Sequence, residues 1–86
     1  MTASYKLSTK RDAEKELRKL PKEDLKRVTS RIAELSNEPR PRGCEKLSTL
    51  ERYRIRQGDW RVLYEIDDQA RTGTIVKIGH RREVYR

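Results

Sequence analysis

Phenylalanine is absent from this 86-residue chain, which also has only one cysteine, one histidine, one tryptophan, three prolines and four glycines. A lone Cys44 excludes a disulfide framework and a zinc site built from cysteines. With His80 as the one imidazole, a transition-metal centre is not expected, and no cofactor is indicated. No apolar run approaches the ~20 residues that span a bilayer. The first residues, Met-Thr-Ala-Ser-Tyr-Lys, have no apolar signal core. A cytoplasmic location with no membrane partner is therefore expected. The sequence also shows no clustered carboxylates to hold Mg²⁺, no glycine-rich phosphate loop and no Ser-His-Asp pattern.

What it has in abundance is charge. Charged residues are 42% of the chain against 33% apolar, and the formal net charge is +8 with a pI near 10.0. This length predicts one domain over residues 1–86 with a small core. The basic balance favours a polyanionic partner, either nucleic acid or an acidic protein.

Along the chain the periodicity divides into a helical half and a sheet half. Residues 3–7 suit a short strand with Tyr5 and Leu7 on one face. Ser8 or Thr9 offers an N-cap for a helix from Lys10 to Leu20, where Ala13, Leu17 and Leu20 fall at helical spacing. Pro21 ends that helix and starts a second, in which Leu25, Val28, Ile32 and Leu35 form an apolar stripe. Together they predict an αα-hairpin. The prolines and glycine of residues 37–43 end it and lead into a short irregular stretch. Residues 52–57 and 60–67 then alternate around a Gly58-Asp59 turn, and residues 74–79 supply a further strand. The expected class is α+β: an N-terminal strand, an αα-hairpin and an antiparallel sheet with the helices on one face.

Alternation also sorts the sheet residues. If Tyr53 and Ile55 face the helices, Arg52, Arg54 and Arg56 face away, and Trp60, Val62, Tyr64 and Ile66 form the inner set of the next strand. Arg54, Arg56 and Arg61 then share one face, which Lys77 joins. The planar guanidinium matches phosphate oxygens two at a time, so such a cluster suits a phosphodiester clamp. The same arginines would also keep an edge-rich sheet soluble. Tyr53, Trp60 and Tyr64 suit the core better than a base-stacking platform.

The C-terminal stretch Ile75-Val-Lys-Ile-Gly-His-Arg-Arg-Glu-Val-Tyr-Arg86 gathers His80, Arg81, Arg82 and Tyr85 after an apolar run. With Arg86, three cations, an imidazole and a phenol fall within seven residues and suit an anionic ligand. Tyr85 can stack on a base, donate to a phosphate, take part in proton transfer, or pack on the sheet edge. His80 titrates near neutrality and is a candidate general acid or base, with a structural role as the alternative.

The run Tyr53-Arg-Ile-Arg-Gln-Gly-Asp-Trp-Arg-Val-Leu-Tyr-Glu-Ile66, with Val76-Lys-Ile-Gly-His-Arg-Arg-Glu-Val-Tyr85, closely resembles the RelE branch of the RelE/ParE toxin superfamily. A helix break at Leu-Arg-Lys-Leu-Pro21 and the Asn37-Glu-Pro turn fit the same pattern. The resemblance implies the toxin half of a toxin–antitoxin pair, which enters the ribosomal A site against 16S rRNA and cuts mRNA without metal, by attack of a ribose 2′-OH on the adjacent phosphate. It implies that Arg61 and Arg81 hold and neutralise the scissile phosphate, and that Tyr85 orients the nucleotide or moves a proton. Arg54 and Arg56 occupy positions that can be lysine in the family, and Lys46, Lys77 and Arg82 would join the RNA contact. Two departures stand out: arginine cannot act as the base that such a lysine provides, and Ser48 follows Lys46-Leu47 where the family often has arginine. A cognate antitoxin, acidic where it binds, is the expected protein partner. The alternative is a ParE-like inhibitor of DNA gyrase on the same fold, without nuclease activity.

Overall fold

The computed structural model describes residues 4–47 and 52–80. Its elements run β1 (Lys6–Thr9), α1 (Arg11–Arg18), α2 (Lys22–Glu34), β2 (Glu45–Leu47), β3 (Arg52–Gln57), β4 (Trp60–Asp67) and β5 (Thr72–His80). The strands form one sheet in the order β1-β5-β4-β3-β2. Strands β2 to β5 are an antiparallel meander, and β1 lies parallel to β5, so the sheet is mixed rather than wholly antiparallel.

The apolar stripes decide the packing. Ala13 on α1, Leu20 just after it, Val28 on α2 and Leu35 at its C-cap are buried with Tyr53, Ile55, Val62, Tyr64, Ile66, Ile75 and Ile78 of the sheet. Leu17, Leu25 and Ile32 pack at the edge of this core. Both helices thus cover the face that alternation assigned to them. Burial of these side chains is the main stabilising contribution, at about 25 cal/mol per Å² of apolar surface.

Local chemistry explains where the elements differ from expectation. Ser8 and Thr9 pair with Thr74 and Ile75 in the sheet, so neither caps α1. Lys10 occupies the N-cap with no side-chain cap, and its N–H donates to the carbonyl of Ile75 at 2.9 Å. Pro21 stands at the N-cap of α2 with φ −55°. The stretch after Gly43 contains a strand, β2, because Glu45, Lys46 and Leu47 pair with Arg54, Tyr53 and Arg52. β5 begins two residues before the expected Thr74. Gly58 has φ +60° at the first central position of the β3–β4 turn, where a side chain would be strained.

One irregularity sets the faces of β5. Leu63 pairs with Lys77 while Tyr64 pairs with Ile75, leaving Val76 as the extra residue of a β-bulge. The bulge lets Ile75 and Ile78, three apart, both enter the core. A polar network closes the opposite end of the sheet. Arg40 donates to Asp68 Oδ1 at 3.1 Å and Oδ2 at 2.9 Å, and from Nε to the Tyr53 hydroxyl at 2.8 Å. The Tyr5 hydroxyl donates to Asp68 Oδ1 at 2.6 Å. Among the described residues, no helix is long and apolar enough to cross a membrane.

Candidate functional site

The strand register builds the sheet face away from the helix-packed core in rows. Arg56, Arg61 and Gly79 form one row across β3, β4 and β5. Glu45, Arg54, Leu63 and Lys77 form the next, and Arg52 with Glu65 the one beyond. The predicted grouping of Arg54, Arg56, Arg61 and Lys77 is therefore realised by pairing, not merely by alternation.

Within that face the arginines have unequal circumstances. Arg52 bonds Glu65 at 2.6 Å, and Arg54 bonds Glu45 Oε2 at 2.6 Å, so both meet a carboxylate across the strand. Arg56 is exposed and 3.9 Å from the other oxygen of Glu45. Directly opposite Arg56, Arg61 is only 7% exposed. One terminal nitrogen of Arg61 donates to the carbonyls of Gly58 and Trp60 at 3.1 and 3.2 Å. Its Nε is buried and has no hydrogen-bond partner among the described residues.

Two like charges directly across an antiparallel pair destabilise a sheet unless something of opposite charge lies between them. A buried guanidinium with an unspent donor is costly for the same reason. Gly79, beside Arg61 in the row, brings no side chain into the space. An oxyanion bridging Arg56 and Arg61 would satisfy both cations, so the geometry suits a phosphate. Exposed Lys77, in the adjacent row, adds a long-range positive charge.

Other predicted site residues lie elsewhere. His80 pairs with Trp60 and shares the face of Val62 and Ile78, opposite to Arg61. Its ring meets Trp60 edge-on at 5.7 Å between centroids, and Nε2 is 4.0 Å from Asp59. Lys46 pairs with Tyr53 and so lies on the helix side of the sheet edge. Arg81, Arg82 and Tyr85, with Ser48, fall outside the described residues. Glu45 is a site residue that periodicity could not find, because its three-residue strand shows no repeat and is recognisable only from its pairing. Among the described residues, no three His, Cys, Asp or Glu side chains come together as a metal site needs.

The strongest titration effects belong to the scaffold. The hydrogen bonds from Arg40, and then from Tyr5, hold the Asp68 carboxyl below its ordinary range. The same Asp68 contact raises the Tyr5 phenol, and hydrogen bonding to Asp68 raises Arg40 further. Burial, followed by the proximity of Cys44, raises Tyr64, whose hydroxyl donates to the Pro39 carbonyl at 2.7 Å. These groups fasten the 37–43 loop to the sheet, ahead of the strand that carries Glu45.

Residues 7–85 match the family of the ParE toxin of the type II toxin–antitoxin system parDE. Toxin RelG of Mycobacterium tuberculosis is 35% identical over 79 residues, covering 86% of this chain and 87% of RelG. The RelBE2 toxin–antitoxin complex of M. tuberculosis contains a chain of similar structure, with TM-score 0.78 and 32% identity over 91% of this chain and 99% of that one. The archaeal RelE–RelB complex of Pyrococcus horikoshii OT3 gives TM-score 0.84 and 30% identity, covering 93% and 98%.

Proposed function

From the premise that this chain belongs to the ParE toxin family of type II toxin–antitoxin systems, within the RelE/ParE superfamily, we propose that it is a ribosome-dependent mRNA endonuclease acting in the A site. The observation that carries this is the cross-strand pair of Arg56 and Arg61, one exposed and one buried with an unspent Nε. A toxin that worked only by occupying a protein partner would have no need of a phosphate seat.

The chemistry follows from that seat. The 2′ oxygen of a ribose attacks the adjacent phosphorus as its proton leaves, and the bond to O5′ breaks as that oxygen takes a proton. The products are a 2′,3′-cyclic phosphate and a 5′-hydroxyl, with no metal required. Negative charge accumulates on the phosphoryl oxygens in the transition state. Arg61, fixed by carbonyl contacts on a rigid strand, is organised beforehand to neutralise it. Arg81 shares that role, and Tyr85 orients the nucleotide or takes part in proton transfer, as the family motif implies. Arg56 and Lys77 hold the flanking backbone. The ribosome supplies the mRNA in a cleavable geometry, which lowers the entropic cost of alignment.

A cognate antitoxin of RelB type is the protein partner in this scheme, as the M. tuberculosis and P. horikoshii relatives form toxin–antitoxin complexes; the net charge of +8 calls for a binding segment that is acidic. The matched family carries the ParE description, and the second function kept open is the ParE-like one that the resemblance implies, inhibition of DNA gyrase without nuclease activity. Mapping mRNA 5′ ends after brief induction separates the two. Cuts in codon register, confined to translated regions and lost in Arg61→Ala and Arg81→Ala, are expected. Growth arrest with no new mRNA ends but with DNA damage would leave the gyrase function standing instead.

A further inference from the structure

Glu45 occupies a position that a phosphate-binding face should avoid. It lies in β2, directly across from Arg54, with one carboxylate oxygen 2.6 Å from Arg54 and the other 3.9 Å from Arg56. Hydrogen-bonded to Arg54 and within ion-pair range of Arg56, the Glu45 carboxylate carries the same single negative charge as a backbone phosphate. We infer that Glu45 is a specificity-determining residue, an internal counter-ion that competes with RNA phosphate for Arg56 and so keeps the toxin from settling on RNA that is not otherwise held in place. This inference rests on the proposal that the arginine face binds RNA.

The two oxygens of Glu45 have different partners and different consequences. Arg54 is 7% exposed and pairs with Glu45 inside the row, so this contact keeps a largely buried guanidinium neutralised. Arg56 is exposed, and its longer contact is the one that an incoming phosphate can replace. Binding an RNA phosphate on Arg56 and Arg61 therefore requires pulling Arg56 from Glu45 and holding an anion next to a carboxylate. Free single-stranded RNA gains few other contacts to offset this. RNA presented by a large assembly gains many. The carboxylate thus sets a threshold for engagement, and Arg61, whose hydrogen bonds among the described residues go to the carbonyls of Gly58 and Trp60, supplies the attraction that overcomes it.

The test measures binding of a short fluorescent single-stranded RNA, 2′-O-methylated so that it cannot be cut, by anisotropy at several salt concentrations. Glu45→Gln keeps an oxygen for Arg54 but removes the charge. It is expected to bind about threefold to tenfold more tightly at low salt, with a log–log salt slope steeper by about 0.7, the increment for one added phosphate contact on a single strand. Adding Arg56→Gln to that variant should cancel the gain. A thermal melt reports whether Glu45→Gln still folds. If it does not, Glu45→Leu with Arg54→Leu replaces the ion pair by apolar contact; because a cation leaves with the carboxylate, a smaller tightening is expected, again cancelled by Arg56→Gln. Unchanged or weaker RNA binding by the folded variants, while Arg61→Gln weakens it, would overturn the inference and leave the RNA face intact. No effect of Arg61→Gln on RNA binding would remove the face itself as an RNA interface, and with it the role of Glu45.

Discussion

The two faces of one sheet obey opposite rules. On the helix side, Ile55, Val62, Tyr64 and Ile75 are fully buried among residues of their own kind, and nothing there needs a partner from outside. On the other side, Arg56 and Arg61 stand directly opposite each other and Arg61 has a buried donor unspent. The first face is what folding optimises. The second retains a local conflict that an anion resolves, and such conflicts between local and global preference are expected where a protein binds or reacts.

Variants on each side should separate stability from activity. Ile55→Ala removes a fully buried side chain from a central strand and should cost about 2–5 kcal/mol, a large part of the roughly 5–15 kcal/mol that holds a domain together. Its urea midpoint should fall steeply. Arg61→Ala should instead lose about 10²–10³ in cleavage rate, the effect of removing one preorganised donor, while its midpoint moves less than that of Ile55→Ala. Equal loss of stability in both would mean that Arg61 belongs to the scaffold.

Tyr64→Phe sharpens the comparison on the buried side. It preserves the ring but leaves the buried Pro39 carbonyl without its donor, at about 1–3 kcal/mol, measurable by denaturant titration with RNA cleavage little changed. The smallest effect belongs to the Arg40–Asp68–Tyr5 network. Asp68 is held below its ordinary range, so its contribution is present at neutral pH and is lost as pH falls through the lowered value. Tyr5 is raised, so its contribution is present below the ordinary phenol range and is lost as pH climbs through the raised one. Melting temperature against pH should show slight declines at both extremes, and Asp68→Asn should remove the acidic one and most of the alkaline one, since Asp68 is the main cause of both shifts.

Much of this architecture was legible in the sequence, for physical reasons. Val28, Ile32 and Leu35 repeat at the helical period, Gly58-Asp59 marks a hairpin, and strict alternation in β3 and β4 sorts arginines from core residues. These are local signals. β2 has only three residues, and the parallel partner of β1 lies in the last described strand, so neither can be inferred from neighbours in the chain. Alternation placed the arginines on one face but could not rank them, because ranking depends on pairing. Glu45 meets Arg54 and Arg56 through β2, and Arg61 takes carbonyls of the turn before it. His80, three residues after Lys77, falls on the opposite side of the strand by simple alternation.

The position of β5 has a consequence in time. It lies between β1 and β4, and Lys6 pairs with Thr72, 66 residues later. A chain growing from its N-terminus makes β1 early and then leaves it without a neighbour until β5 emerges. Pairings this distant in sequence form slowly. The row of Arg56, Arg61 and Gly79 likewise needs β5 for its third member. Synthesis itself therefore delays completion of the arginine face until the last described strand has emerged and paired.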